Sequence, residues 1–396
     1  MKIQWRYTIA LAGLTTLLGA CSHHTSGEVV ESAYMEPLFP EPRYAFSRQG
    51  YSSVDTQECA FISEPLDYFY ESGLKGARLG STADFNNYIE YYRDGEFGVS
   101  PRGEIATSEF AQPIRERVQD YMDNLIETSA IIGGKGAEDP VLHRRQEAQK
   151  GHTGYVGKHI GDKDIYFVDE KGFVVADIFK FAMMGAIYLD KVVNVHLDEK
   201  TLTQPETQSK HEALTMQPGR NYTALEHHWD LAYGYYAFWK PLAQAEGIRV
   251  IRDSEDKIFR AFVEGRTVME TFRYEDMLTQ AKIIKEELAK VIIVRATHLL
   301  VGENTLVNLD ERPQYAFRFI SQACGLIYAT QFLRNAEGKP YFSHDEVEEM
   351  LSDLREGDGL WDAKKLLSGS EVKGSLSNIA TRLCKPIGIT PEDIKK

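Results

Sequence analysis

A chain of 396 residues with 43% apolar side chains is long enough to bury a sizeable core, as one large domain or two ordinary ones. Its 59 acidic against 45 basic residues leave a formal charge of −14, which repels nucleic acid and anionic lipid headgroups and favours cations. Four cysteines with no Cys-x-x-Cys pair exclude a zinc ribbon and a dithiol redox motif.

The chain starts with the basic stretch Met1 to Arg6. An apolar run from Ile9 to Leu18 follows, then Leu18-Gly19-Ala20-Cys21. A basic start, a short apolar core and small residues at the end make a secretory signal, too short for a permanent membrane span. Leu-Gly-Ala-Cys resembles a bacterial lipobox, which implies cleavage before Cys21 and diacylation of that residue. Ser22, where an aspartate would retain the protein at the inner membrane, points to the outer membrane, with the chain facing the periplasm or the cell surface. Loss of Lys2 and Arg6 with residues 1–20 takes the formal charge from −14 to −16, so acyl chains rather than a basic patch provide the membrane contact. Residues 21–45, with Pro37, Pro40 and Pro42, read as a flexible tether, and 46–390 as the folded domain. Of the remaining thiols, Cys324 lies on an apolar helical face and reads as buried and free. A Cys59–Cys384 disulfide is left open.

Residues 46–105 read as an irregular, aromatic-rich segment with one short helix near Asp84 to Tyr92. Ser108 to Ile132 repeats apolar residues at three and four (Phe110, Ile114, Val118, Tyr121, Met122, Leu125), which predicts a helix ended by Gly133-Gly134. Tyr166-Phe167-Val168 and Phe173-Val174 flank Asp169-Glu170-Lys171-Gly172 and are expected to pair as a small hairpin. Val175 to Val195 is apolar nearly all round, the pattern of a central helix. Asp177, Lys180, Asp190 and Lys191 interrupt it and argue against a membrane span. Residues 197–220 read as a polar loop. From Asn221 to Pro241, Thr223 and Glu226 form a capping box and Leu225, Trp229, Ala232, Tyr236 and Trp239 an inward face. Helices are expected near Asp256 to Glu264, over Tyr274 to Val307 and Pro313 to Leu333, after the Ser343 cap, and in two short C-terminal pieces. Strand signals are few, so the expected fold is all-α, a helical bundle with room for two related half-bundles.

Glu226, His227 and Asp230 fall three and four apart, so their side chains share a helix face. Imidazole beside carboxylates suits a divalent metal such as iron or zinc. Further ligands must come from elsewhere, with His152 and His298 the nominees and His159 and His196 in reserve. The bland alternative is a helix-start polar cluster in which Glu226 only caps. His228, Trp229 and Tyr233 could line a ligand cavity, although core packing explains such aromatics equally. No His-Glu-x-x-His zincin motif and no Gly-x-Ser-x-Gly elbow occurs.

The order of Gly151-His152-Thr153-Gly154, Met184-Gly185-Ala186, Glu226-His227-His228-Trp229-Asp230 and Ala323-Cys324-Gly325-Leu326-Ile327-Tyr328 resembles a family of bacterial lipoproteins known as domain of unknown function 4856. The resemblance covers roughly residues 50–390 and implies no assigned activity. A more distant likeness is to imelysin-type periplasmic proteins, which are paired helical bundles linked to iron uptake and carry His-x-x-Glu. Here His227-His228-Trp229-Asp230 gives His-x-x-Asp. The expected function is a lipoprotein that binds a metal ion, plausibly iron, for uptake. The alternatives are a non-enzymatic scaffold that recognises an envelope protein or polymer, and a metallopeptidase-like hydrolase with Glu226 as its base. No catalytic residue is assigned, and the balance leans away from an enzyme.

Overall fold

A computed structural model describes residues 43–74, 85–95, 99–159, 164–244, 247–335 and 337–394. Cys21, the leader and most of the tether lie outside these residues. From Tyr44 onward the chain is one compact unit. It is all-α, as the periodicity predicts, with two small two-stranded sheets among the described residues.

The first sheet pairs β1 (Ser47–Arg48) with β2 (Tyr51–Ser52). Gln49 and Gly50 turn between them with φ of 52° and 82°, the left-handed pair that a two-residue hairpin loop needs. Next come α1 (Gln57–Tyr68), a π-helical turn Phe69–Leu74 and α2 (Phe85–Asp94). The segment expected to be irregular is therefore largely helical. Pro65 reads as a breaker, yet Cys59, Ile62, Leu66 and Phe69 form a buried stripe at helical spacing that outweighs it.

After α3 (Arg115–Ile132), β3 (Gly154–Val156) pairs antiparallel with β4 (Tyr166–Val168). The hairpin expected between Tyr166-Phe167-Val168 and Phe173-Val174 does not form. Instead the Asp169 carboxylate accepts the backbone N–H groups of Lys171 and Phe173, each at 2.9 Å. That closes a turn which leads straight into α4 (Val175–Met184). The 197–220 loop also gains structure, as a short turn Glu199–Leu202 and α5 (Pro205–Glu212).

The remaining long elements are α6 (Ala224–Tyr236), α7 (Ser254–Met269), α8 (Tyr274–Val301), α9 (Glu303–Glu311), α10 (Pro313–Ala329), α11 (His344–Arg355) and α12 (Leu376–Cys384). Both expected capping boxes are present, Thr223 with Glu226 and Ser343 with Glu346. The long helix predicted over Tyr274 to Val307 stops at Gly302, whose ψ of 149° is extended. A Cβ there would meet the His298 carbonyl at 2.5 Å.

Helix α4 is covered on nearly all sides, with Ile178, Phe179, Ala182 and Met183 buried. It runs alongside α10 in the same direction. The Val174 N–H donates to Ser321 Oγ, Gly325 lies against Ile178 and Phe181, and Gly185 lies against Ala329. Helix α7 packs against α8 as an antiparallel pair, and α8 also carries α10 and α12. Cys59, Cys324 and Cys384 are all free and buried, so the disulfide left open between Cys59 and Cys384 is not formed. Cys59 Sγ rests on the Leu231 carbonyl and Cys384 Sγ on Thr297. Among the described residues no helix is long and apolar enough to cross a membrane.

Candidate functional site

Glu226 and Asp230 share a face of α6 as expected, but both are taken by arginines. Glu226 is wholly buried and takes Arg48 in a two-pronged contact, Nη2 to Oε1 at 2.7 Å and Nη1 to Oε2 at 3.2 Å. Arg266, wholly buried on α7, places Nη1 3.0 Å from the same carboxylate and Nε 3.4 Å from Asp230 Oδ1. The first of these pairs charge without the alignment of a hydrogen bond. Tyr44 closes the cluster from above. Its hydroxyl donates to Asp230 Oδ1 at 2.5 Å, and its ring stacks on Tyr233 at 3.9 Å. The Arg266 guanidinium also lies over the Phe46 ring. A strap of residues 44–53 thus seals two buried carboxylates.

Burial pushes Glu226 up, but Arg48 and Arg266 outweigh it and hold the carboxyl below its usual range. Asp230 goes the other way. Burial dominates, despite Arg266 and the Tyr44 hydroxyl, and the carboxyl is pushed up to about 7, with Oδ2 lacking any partner. Its unfolded value is near 3.9. The stability tied to protonated Asp230 is therefore complete below about pH 4 and lost as pH rises through 7. Asp230→Asn should remove this loss. Its urea midpoint relative to wild type should climb from pH 4 to pH 7, and a difference that stays flat over that window would contradict the assignment.

The other nominated metal ligands lie in separate places. His227 turns from the carboxylates and stacks on Tyr222, ring centroids 4.5 Å apart. His152 is exposed, in the tight turn that precedes β3. His298 sits in the last turn of α8 against Gly302. The five-residue metal set is thus not one site, because the helix that aligns Glu226 and Asp230 hands both to Arg266. Among the described residues no three His, Cys, Asp or Glu side chains meet as an ion requires. Trp229 is core, its Nε1 donating to the Phe262 carbonyl. Tyr233 packs between Tyr44 and Phe262.

The central helix shows what the sequence did not. From Gly185 to His196 it widens into π-helical turns, Gly185–Leu189 and Lys191–His196. Such turns shift the register of the face and recur at functional sites. Here they bring polar groups into the core. Asp190 accepts from the Ser108 N–H and hydroxyl and from Asn194. Lys191 pairs with Glu104 at 2.8 Å. His196 Nδ1 meets His228 Nδ1 at 3.1 Å and its ring stacks on Tyr235. His228 was expected to line a cavity and instead shares this bond. Burial depresses both imidazoles below their ordinary range, so near neutral pH one Nδ1 donates and the other accepts.

Beside this run lies a cavity of about 370 Å³ between α1 with its π-helical turn, α4 with its own, and the chain that follows α6. Its floor is Leu66, Tyr70, Phe179, Met183, Met184 and Tyr188, all buried. Phe238 stacks on Tyr188 at 4.3 Å and forms one wall. Ala237, Pro241 and Asp67 are exposed at the rim, with Lys180 half-buried there and its ammonium 4.7 Å from the centre of the Tyr70 ring. The size suits a small-molecule site with an apolar lining and few polar groups. The one sequence signal for it was Lys180, a charge inside an otherwise apolar helix. No thiol nearby is a ready nucleophile, since burial pushes Cys59 and Cys324 each up to about 12.

The family described as domain of unknown function (DUF4856) matches residues 41–390, and the chain belongs to that family. Neither the search of curated proteins nor that of solved structures gave a match.

Proposed function

We propose that this member of the DUF4856 family is a lipid-anchored envelope protein that binds a small amphipathic ligand and does not transform it. The observation that carries this reading is the aromatic and methionine-floored cavity between two π-helical turns, rimmed by Asp67 and Lys180. Aromatic and thioether side chains provide large apolar contact to a ligand of that size. The Leu-Gly-Ala-Cys21 run supports attachment at the outer membrane through acyl chains. The acidic surface charge keeps the chain off anionic headgroups.

Metal uptake has less support. Its carboxylates, Glu226 and Asp230, are held by Arg48 and Arg266, which leaves the two imidazoles of His196 and His228, one short of the three donors that hold an ion. A metallopeptidase loses its nominated base for the same reason. A scaffold that recognises an envelope protein remains compatible with the anchor, but no described feature selects its partner.

The test uses N-phenyl-1-naphthylamine, an apolar fluorophore, with the unlipidated chain from residue 22 on, which keeps the whole compact unit. Saturable enhancement at one site per chain is expected. Ala237→Trp, which lays an indole over the rim from an exposed position, should weaken it at least tenfold with the circular dichroism unchanged. Equal binding by both proteins would remove the cavity as the site.

A further inference from the structure

We propose that the ligand is a zwitterion with an apolar body: its ammonium faces Asp67, its anionic group faces Lys180, and its body lies on the Phe179, Met183 and Phe238 surface. This rests on the cavity being the binding site. Two charged groups, Asp67 and Lys180, stand at the cavity, and each is left with bonding capacity. Among the described residues Lys180 makes no ion pair, and its ammonium is held over the Tyr70 ring instead. Asp67 lines the same cavity and likewise makes no ion pair. Tyr188 contributes its ring to the floor, while its hydroxyl is sealed away from the cavity.

Two opposite charges that line one cavity normally close on each other. They do so in the cleft between α3, α4, α10 and α11, where Arg355 meets Asp169 at 2.6 Å. Here the Lys180 charge is felt at Asp67 but the two groups do not close into an ion pair, and a molecule that carries both signs can complete each of them. A singly charged ligand would satisfy one group and leave the other facing it with like charge. A neutral ligand would cover both and return nothing for their lost water. Apolar α-amino acids and short peptides carry this chemistry, and so do phosphoethanolamine lipids.

The decisive measurement is isothermal titration of the intact full-length protein, purified in dodecyl maltoside, with water-soluble probes. Phenylalanyl-leucine is compared with its N-acetyl and its C-amide forms, and dihexanoyl phosphatidylethanolamine with dihexanoyl phosphatidylglycerol. The expected result is that a zwitterionic probe binds at least tenfold more tightly than its singly charged counterparts. Lys180→Met should abolish the preference for a free anionic end, and Asp67→Asn the preference for a free ammonium. Whether the peptide or the lipid wins identifies the source, and either supports the proposal. If blocked and free forms bind alike and Ala237→Trp abolishes both, the cavity stands and the zwitterion falls. If no probe binds while N-phenyl-1-naphthylamine does, the zwitterion falls alone; if neither binds, both fall.

Discussion

Arg266→Met is expected to lower the unfolding free energy by about 3–5 kcal/mol, the usual cost of removing one partner from a buried ion pair. Arg266 is wholly buried and is the cation that Glu226 and Asp230 share. Methionine fills much of the same volume, so the loss reports on charge more than on a cavity. Arg48 would remain on Glu226, but its side chain is 21% exposed and it does not reach Asp230 among the contacts described. The two carboxylates would then face each other without their common counter-ion, and protonation would relieve them. The deficit should therefore be larger at pH 8 than at pH 5. Asp230→Asn in the same background should recover part of it. Guanidinium unfolding followed by circular dichroism at the two pH values measures this. A loss under about 1 kcal/mol that ignores pH would show the cluster to be solvated rather than sealed.

The second large effect belongs to the contact between α4 and α10. A Cβ at Gly185 would sit 2.4 Å from the Ala329 Cβ and 2.6 Å from its Cα. A Cβ at Gly325 would sit 2.6 Å from the Ile178 carbonyl oxygen and 2.7 Å from the Phe181 Cβ. Neither obstacle is the end of a flexible side chain, so the two helices must move apart. Overpacking of this kind costs about 1–3 kcal/mol, and it exceeds the gain of up to about 1 kcal/mol that alanine brings to a helix. Gly185→Ala and Gly325→Ala should each be destabilised, and the double variant by less than the sum, because one separation relieves both clashes. Gly247→Ala, with nothing within 4 Å, is the control, expected within about 0.5 kcal/mol of wild type. Additive losses would mean that the two contacts yield independently.

Much of the fold was legible because its signals are local. Thr223 with Glu226 and Ser343 with Glu346 are capping boxes written in four residues each, and both formed. The apolar run from Val175 to Val195 declared a central helix. What failed was also local in origin. The 46–105 segment read as irregular and the polar 197–220 stretch as a loop, because turn residues were weighed without the buried stripe or the Asp198 cap that offset them. The partners of the acidic face were invisible for a different reason. Arg48 lies 178 residues before Glu226, and Arg266 lies 36 residues after Asp230. No spacing rule links such distances, so the carboxylates looked available for a metal. The four charges that interrupt the central helix were the better clue. Asp177 receives Tyr70 and Arg318, Asp190 receives Ser108, Lys191 meets Glu104, and Lys180 lines the cavity. A charge on an all-apolar helix marks a place where the protein has work for it.

The strap of residues 44–53 has a mechanical consequence. Any tension applied to the chain upstream of Tyr44 reaches the bundle through the Tyr44 hydroxyl on Asp230 and the Arg48 fork on Glu226. Those are the contacts that peel first, and their rupture would admit water to an acidic pair otherwise kept dry. With the amino-terminal anchor proposed above, drag on the body would register as ionisation of Asp230, a conversion of force into charge located at the point where leash meets load.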